Sequence, residues 1–225
     1  MGLFSFEPRG VRNMYNGWAP RYDKEFVKNG YCAPEYLVSR ISETFNVARD
    51  GLRILDVGIG TGLLAEQFKV VNPSCHITGI DISENMILRC ANKAVADVLK
   101  LADFERRGIP FNSGSFDVVV SSGVFELLNN PTKVIKEMGR VLKPGGAISL
   151  TAYSDSSRGY ICTRHPDALM EDAFKEASLF LNERPRFHAF NQRMVMQSKI
   201  YYHLYCGVKE EKAFSLPEGE LNYAL

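Results

Sequence analysis

The sequence predicts an α/β protein, a single domain with a doubly wound, mostly parallel seven-stranded sheet flanked by helices. Four short apolar runs, RILDVG, HITGIDI, DVVVSS and AISLTAY, alternate with longer mixed segments between Leu52 and Tyr153. This alternation is typical of parallel strands joined by crossover helices. Each run is apolar nearly throughout, as expected of strands covered on both faces. The first run leads directly into a glycine-rich turn, and α/β sheets bind ligands at that edge.

The segments between these runs show helical spacing of their apolar residues. Residues three and four apart share one face of a helix, so each segment can cover the sheet with an apolar stripe. A weaker strand candidate, VLKLAD, ends at Asp103 between the second and third runs. The residues that define the predicted helices are Leu63, Leu64 and Phe68, then Met86, Ile87 and Cys90, then Val134, Ile135, Met138, Val141 and Leu142.

Two flanks complete the predicted domain around a core of residues 51–155. Residues 1–50 are predicted to be largely helical, with apolar residues from Tyr36 to Phe45 spaced to dock one helix on the core. Residues 156–225 are predicted to begin with a helix from Pro166 to Asn182. Two closing strands, RFHAFNQRMVMQ and KIYYHLYCGVKE, and a short tail, SLPEGELNYAL, follow.

Composition excludes several classes of protein. In 225 residues, 27 lysines and arginines nearly balance 26 acidic residues, so no broad positive field favours nucleic acid or an anionic membrane. No apolar run approaches the roughly 18 residues that cross a bilayer, and the N-terminus has no secretory or lipidation pattern. We therefore expect a soluble cytoplasmic chain. Five cysteines without a C-x-x-C pair argue against a disulfide framework or zinc site: Cys32, Cys75, Cys90, Cys162 and Cys206.

The glycine-rich turn and a later acidic residue predict an adenosine-containing cofactor. Asp56 ends the first predicted strand and is followed by Gly58, Gly60 and Gly62, where missing side chains let a ligand touch the backbone. Taken alone, such a turn is equally consistent with a tight strand-to-helix connection. Asp81 closes the second predicted strand 21 residues after Gly60. That spacing is typical of an acidic residue that accepts hydrogen bonds from both ribose hydroxyls.

The same turn disfavours other nucleotide ligands. The dinucleotide pattern G-x-G-x-x-G requires a third glycine where this chain has Leu63. The phosphate-binding pattern G-x-x-x-x-G-K-[ST] does not occur.

Four segments then carry a family resemblance over about half of the chain. LDVGIGTG and GIDISENM resemble the cofactor motifs of class I methyltransferases. ADFERRGIPFNSGSFDVVVSSGVFELL and EMGRVLKPGGAISL are similar to that family's third to fifth strands, in the same order. The resemblance implies S-adenosylmethionine as cofactor, S-adenosylhomocysteine as product, and a cofactor-binding core at 51–155. It also implies that 1–50 forms a lid or cap and that 156–225 shapes the acceptor pocket.

The resemblance also implies a role for each matched position. Asp56 lies near the methionine end of the cofactor, Asp81 accepts from the ribose, and Asp103 accepts from the adenine amino group. Structural roles are the alternatives: a turn cap for Asp103, core packing for Phe104, and bonds to the backbone for Ser121 and Ser122. The cofactor-binding residues so assigned are Tyr22, Asp56, Gly58, Gly60, Asp81, Ile82, Met86, Asp103, Phe104 and Ser121.

The aromatic segment YNGWAPRYDKEF resembles the entry helix of many small-molecule methyltransferases. With GYCAPEYL it resembles a narrower branch of the family, methyltransferase-like proteins of the Williams-Beuren syndrome region type. Tyr15, Trp18 and Tyr22 could cover the sulfonium, because aromatic faces attract cations. Packing of the same rings on the core as a hydrophobic staple is the alternative.

The sequence leaves the general base undecided. Many relatives carry Glu-His after the fourth strand, where this chain has Glu126 followed by Leu127. Glu126 is a candidate base, although a glutamate at a helix start also favours the helix dipole. His188 and His203, in the C-terminal flank, are further candidates, and structural or exposed positions are their alternative.

We predict methyl transfer to an unidentified acceptor, by O- or N-methylation. A small molecule is favoured over a protein, and no nucleic acid, membrane or metal is expected. Two alternatives stay open. One is a nicotinamide-dependent oxidoreductase using Tyr205 and Lys209 as a Y-x-x-x-K pair, although both lie in a predicted strand. The other is a partner subunit that binds the cofactor without catalysis.

Overall fold

A computed structural model describes residues 7–153, 165–192 and 198–210. Within these residues one sheet is flanked by helices on both faces, and a single 3-10 turn, Phe125–Leu127, follows the fourth strand. The helices are α1 Pro8–Trp18, α2 Tyr22–Lys28, α3 Ala33–Thr44, α4 Leu63–Val71, α5 Glu84–Lys93, α6 Phe104–Arg107, α7 Pro131–Val141 and α8 Asp167–Glu176. The strands are β1 Arg53–Val57, β2 His76–Asp81, β3 Val98–Leu101, β4 Phe116–Ser121, β5 Leu142–Tyr153, β6 Leu179–Glu183, β7 Arg186–Gln192 and β8 Ser198–Lys209.

The sheet is mostly parallel, as predicted. Its order is β3-β2-β1-β4-β5-β8-β6, with β1 to β5 parallel and β8 antiparallel to β5. Strand β7 also pairs with β8, beside the half that β6 leaves unpaired. The eight strands therefore occupy seven positions, because β6 and β7 form one interrupted edge strand. Pro185 lies at the interruption, and a proline has no N–H for the strand ladder.

The predicted helix from Pro166 to Asn182 is wrong in its second half. Helix α8 ends at Glu176, and Ser178 takes a left-handed backbone conformation with φ +55°. The residues LFLNE then form β6, in which Leu179 pairs with Lys209. Pairing with a strand thirty residues away overrides the local helical spacing, a competition that the segment alone does not reveal.

The sheet carries a buried layer on each face. Ile54 and Leu55 are adjacent in β1, point to opposite faces and are both fully buried. On one face the core includes Met138 of α7, and on the other it includes Leu37 of α3 and Phe68 of α4. Burial on both sides explains why the central strands are apolar nearly throughout.

The described cysteines are free thiols. Cys75, Cys90 and Cys206 are buried and Cys32 is exposed, whereas Cys162 lies outside the described residues. None of the helices in the described parts of the chain is long and apolar enough to cross a bilayer.

Candidate cofactor and active site

The site lies at the point where the strand order of the sheet reverses, between β1 and β4. From β1 the chain builds outward to β2 and β3 on one side and to β4 and β5 on the other. The connections leave a crevice beyond the carboxyl ends of β1 and β4, where open α/β sheets bind ligands. The residues that follow β1, β2, β3 and β4 therefore meet at one edge.

The loop after β1 owes its shape to glycine. Gly58, Gly60 and Gly62 have φ values of +78°, +56° and +88°, a region that only glycine adopts readily. The N–H of Gly58 donates to the carbonyl of Ile80 at 2.8 Å, and the N–H of Gly60 donates to Asp81 Oδ2 at 2.9 Å. The loop is thus fastened to the end of β2.

We predict that Gly58→Ala damages the site much more than Gly60→Ala. A Cβ on Gly58 would lie 2.3 Å from Val124 Cγ2, whereas a Cβ on Gly60 meets only the Gly58 carbonyl at 4.0 Å. The left-handed conformation costs alanine roughly 1–2 kcal/mol at either position. Overpacking adds roughly 1–3 kcal/mol at Gly58 alone. Urea unfolding measures the difference, and equal destabilisation by both variants would contradict this loop geometry.

Asp81 accepts structural hydrogen bonds and also borders a cavity. It is 8% exposed and lines a cavity at this edge of the sheet. Its Oδ2 accepts from Gly60 and its Oδ1 accepts from the N–H of Ser83 at 2.8 Å. Burial raises its pKa, and these backbone hydrogen bonds oppose the rise. A carboxylate has about four lone-pair positions, so Asp81 can also accept from a ligand's hydroxyls.

Asp56 is a buried carboxyl with an unsatisfied oxygen. It is 2% exposed, and no described residue donates to its Oδ2. Burial, and secondly the charge of Asp81, raise its pKa to about 8. A buried carboxyl without a partner is costly, and a cationic group bound beside it would remove that cost.

The structure brings eight of the ten sequence-predicted residues to the wall of one cavity, and Asp56 borders a smaller adjoining cavity with Gly58, Gly60 and Tyr22. Asp103 and Phe104 line this cavity and also have the structural roles that the sequence allowed. Asp103 Oδ1 accepts from the N–H of Arg106 at 3.2 Å as the cap of α6, and Phe104 joins the core. The eight wall residues are Tyr22, Gly58, Gly60, Asp81, Ile82, Met86, Asp103 and Phe104.

The structure corrects the position of Ser121. Its side chain is fully buried, and its hydroxyl donates to the carbonyl of Val57 at 2.7 Å, which is the backbone-bonding alternative. Ser122, the first residue after β4, lines both cavities instead, and its hydroxyl lies 2.8 Å from the Tyr31 hydroxyl.

Comparison with known proteins assigns this site to a family. Residues 55–150 match the family model described as a methyltransferase domain. Methyltransferase-like protein 27 of Homo sapiens is 30% identical over 145 residues, which are 64% of this chain and 58% of that protein. The ubiquinone/menaquinone biosynthesis C-methyltransferase of Bdellovibrio bacteriovorus is 30% identical over 68% of this chain and 66% of that protein.

A solved structure agrees in fold. Magnesium protoporphyrin IX methyltransferase from Synechocystis, with bound S-adenosylhomocysteine, superposes with a TM-score of 0.70. It covers 91% of this chain and 100% of that chain at 16% identity. The chain belongs to the class I, Rossmann-like methyltransferases. The narrower resemblance of its N-terminal segment stays a prediction.

The described residues at this site fit S-adenosylmethionine. The unsatisfied Asp56 oxygen suits the cofactor's positive charges, and Asp81 suits the ribose. The missing Cβ of Gly60 leaves the backbone open to the cavity, and the missing Cβ of Gly58 lets the side chain of Val124 pack closely on the loop. No described group of three or more histidine, cysteine or acidic side chains could hold a metal ion.

Helices α1 and α2, which we call the lid helices, cover this methyltransferase's cavity. Pro8, Val11 and Tyr15 of α1 and Tyr22 of α2 line its outer wall. The rings of Tyr15 and Tyr22 are 6.1 Å apart between centroids. Trp18 is not among the lining residues; its ring packs on Tyr22 at 5.2 Å. The aromatic segment is therefore both a cavity wall and a packing element.

Polar contacts of Asn16 and Asp23 hold the lid helices to the core. The side-chain oxygen of Asn16 accepts from Ser83 Oγ at 2.6 Å and from the N–H of Asn85 at 3.1 Å. Its amide nitrogen donates to Glu84 at 3.0 Å. From α2, Asp23 accepts from the Thr61 hydroxyl and pairs with Lys93 at 2.7 Å. Thr61 belongs to the glycine loop, so this contact links the lid to the cofactor loop.

We predict that Asn16→Ala accelerates dissociation of S-adenosylhomocysteine. Hydrogen bonds contribute about 0.5–1.5 kcal/mol each, and partial replacement by water leaves a net loss of about 1–2 kcal/mol. That loss corresponds to roughly 5- to 30-fold faster release. Asn29→Ala, at the end of α2, is the control, because the Asn29 side chain makes no hydrogen bond to the described core. Stopped-flow displacement measures the rate, and equal rates for both variants would refute the lid.

The structure separates the candidate bases. Glu126 lies in the 3-10 turn after β4, is 5% exposed, and accepts at Oε1 from the Tyr202 hydroxyl at 2.9 Å. His188 is exposed on β7 beside the ring of Tyr201. His203 Nδ1 lies 3.0 Å from Asp167 Oδ1. Neither histidine lines the cavity, whereas Glu126 lies next to its wall at Gly123.

The Tyr205 and Lys209 pair is structural. The Tyr205 hydroxyl donates to Asp167 at 2.8 Å, and Lys209 donates to the carbonyls of Gly139 and Leu142 at 2.7 and 2.8 Å. Neither side chain lines the cavity. The geometry gives the oxidoreductase alternative no support.

Sequence reasoning missed several residues at the site. Val124, Leu127 and Leu128 line the cavity, and Tyr31 and Tyr202 lie next to it. Val124 to Leu128 follow β4 directly, so their position at the strand edge was a usable signal. Tyr202 is 76 residues from its partner Glu126, and no local pattern predicts that contact.

Proposed function

We propose that this chain binds S-adenosylmethionine at the carboxyl edge of the sheet and transfers its methyl group to an acceptor. The observation that carries the proposal is the pair of buried carboxyls, Asp56 and Asp81, beside a glycine loop. One has an unsatisfied oxygen, and the other lines an otherwise largely apolar cavity. This arrangement suits a cationic adenosine derivative and offers no phosphate-binding loop.

The chain's residues divide the work of binding. Asp81 accepts from the ribose hydroxyls, Asp56 pairs with the α-amino group, and Asp103 accepts from the adenine amino group. Ile82, Met86 and Phe104 pack against the adenine. The bound cofactor supplies a methyl group already activated on a sulfonium. The protein's contribution is to align the acceptor and to exclude water, which the lid helices accomplish.

We further propose a small-molecule acceptor. The net charge of +1 offers no general attraction for nucleic acid. The lid helices line the cavity, and this enclosure favours a small acceptor over a large one.

Calorimetry tests cofactor binding directly. We expect S-adenosylmethionine and S-adenosylhomocysteine to bind the purified chain and NAD to give no heat. Tight NAD binding, with no response to either sulfur compound, would overturn the proposal. Formation of S-adenosylhomocysteine in the presence of a metabolite extract distinguishes an enzyme from a partner subunit that only binds the cofactor.

A further inference from the structure

Beside the cofactor cavity lies a cluster of oxygen atoms, which we call the oxygen niche. It is formed by Tyr31, Ser122, Gly123, Glu126 and Tyr202. Gly123 has φ +70°, and a Cβ there would lie 3.2 Å from the Tyr31 hydroxyl and 3.8 Å from both Glu126 Oε1 and the Tyr202 hydroxyl. Because Gly123 has no side chain, these three oxygens lie close to its backbone. Ser122 and Gly123 also line the cofactor cavity, so the niche adjoins it.

The carboxyl of the niche has no cationic partner in the part of the chain that the structure describes. Glu126 is buried, it forms no ion pair with a described residue, and none of the described residues donates to its Oε2. Burial raises its pKa to about 7, which the hydrogen bond from Tyr202 partly opposes. The titratable groups that face it are the hydroxyls of Tyr202 from β8, Tyr31 from the loop before α3, and Tyr22 from α2.

We infer that the oxygen niche binds a protonated amine and that Glu126 takes the proton from it, which makes the methyl acceptor an amine. This inference rests on the proposed function, because it names the acceptor of the same site. A buried carboxylate gains most from a cationic donor, since such a donor neutralises the buried charge as well as forming a charge-assisted hydrogen bond. Among the described residues, the niche has no positive side chain for an anionic substrate.

The rings of the niche tyrosines are packed against other aromatic rings. The ring of Tyr153 stacks on Tyr202 at 5.2 Å, and the ring of Phe26 packs edge-on against Tyr31 at 4.9 Å. This packing restricts the directions in which the two hydroxyls point. An alcohol that donates to the Glu126 carboxylate would form a charge-assisted hydrogen bond but no ion pair, and a carboxylate ligand would meet Glu126 as a like charge.

Each proton and electron pair in the proposed step has a donor and an acceptor. An ammonium nitrogen gives one proton to the Glu126 carboxylate and so regains its lone pair. That pair forms the new N–CH₃ bond while the S–CH₃ bond breaks, and its electrons stay on the sulfur. The product is a methylated ammonium ion and a neutral thioether. Glu126 then releases its proton to solvent as the lid opens.

Binding of matched probes tests the inference without turnover. Benzylamine, benzyl alcohol and benzoate share one ring and differ in the polar group. With protein loaded with S-adenosylhomocysteine and observed by NMR, we expect benzylamine to bind at least tenfold tighter than benzyl alcohol, and benzoate more weakly still. Glu126→Gln should reduce benzylamine affinity to that of the alcohol. Equal binding of amine and alcohol, or an unchanged amine affinity in Glu126→Gln, would overturn the inference.

A hydroxyl on the opposite face of β8 provides the control. Tyr202→Phe removes the donor to Glu126, and Tyr205→Phe removes a hydroxyl that donates to Asp167 and also contacts Arg184. We expect the NMR signal of the Glu126 carboxyl to titrate at higher pH in Tyr202→Phe and at the parent pH in Tyr205→Phe. The rate of methyl transfer should fall as pH drops through about 7, because Glu126 must be ionised to accept a proton.

If none of the three probes binds, a methyl-transfer assay tests whether the acceptor is an amine. A metabolite extract is separated beforehand by a cation exchanger into a cationic pool and a neutral or anionic pool, and S-adenosylhomocysteine formation is measured with each. Turnover with the cationic pool that is lost in Glu126→Gln supports the amine assignment. Turnover only with the other pool, or none with either pool while the cofactor binds normally, overturns it. Failure of the cofactor itself to bind would instead refute the proposed function.

Discussion

Asp81→Ala is expected to lose roughly 30- to 1,000-fold in affinity for S-adenosylhomocysteine. Hydrogen bonds to a charged acceptor contribute about 1.5–3 kcal/mol each. Two ribose bonds partly replaced by water leave a net loss of about 2–4 kcal/mol, and each 1.4 kcal/mol or so is one decade in affinity. Asp81→Asn should be milder, because its amide oxygen can still accept. Calorimetry on both variants measures the loss.

The structure adds a second consequence for Asp81→Ala. The N–H groups of Gly60 and Ser83 both donate to this carboxylate, and an unsatisfied buried donor costs about 1–3 kcal/mol. The melting temperature should therefore fall together with affinity. Asp97→Ala is the matched control. Asp97 accepts from the N–H of Ile77 at 2.7 Å and from Lys69, away from the cavity.

Asp97→Ala should lower the melting temperature and leave cofactor affinity unchanged. An Asp81→Ala protein that behaves in the same way, destabilised but binding like the parent, would refute the ribose assignment. The pair of variants thus separates the loss of a loop bond from the loss of a ligand bond.

The parallel core could be predicted because its signals are local. Burial on both faces makes β1, β2 and β4 apolar nearly throughout. A polar residue lies at or one position before the carboxyl end of each strand: Asp56, Asp81 and Ser121. Parallel topology alone then brings Asp56, Asp81 and Ser122 together. Spacing along the chain was sufficient for these positions because the connections between them are short.

The features that the sequence misplaced or did not reveal depend on side-chain direction and on contacts between residues remote in sequence. The choice between Ser121 and Ser122 depends on which residue turns toward the crevice where β4 ends, and both are small and polar. The burial of Glu126 depends on Tyr202, on a strand that closes the sheet from the far end of the chain. The end of α8 depends on β8, because pairing with that strand converts LFLNE into an edge strand. Asn16 has no pattern to identify it, and only docking of α1 on α5 shows its bonds.

Asp56→Asn is expected to stabilise the cofactor-free protein at pH 8 while weakening cofactor binding at least tenfold. Folding raises the pKa of Asp56 from 3.8 to about 8, so the folded state binds more protons than the unfolded state between these values. Stability from this group therefore falls as pH rises from about 4 to 8. Asparagine removes the ionisable group, so the variant's advantage should grow across this window and vanish near pH 4. Urea unfolding at several pH values measures it.

Cofactor binding should lower the pKa of Asp56 again. A cationic amino group beside Asp56 favours its ionised form, so binding at pH 7 should release close to one proton, and affinity should fall as pH drops below about 8. Calorimetry in phosphate and Tris, which differ in heat of ionisation, counts that proton. Because Asp56 and Asp81 interact, the count belongs to the pair, and the Asp56→Asn variant separates the two. Glu126→Gln, which alters another buried carboxyl of raised pKa, should leave the count unchanged. Equal heats for the parent in both buffers would show that Asp56 does not pair with the cofactor's amino group.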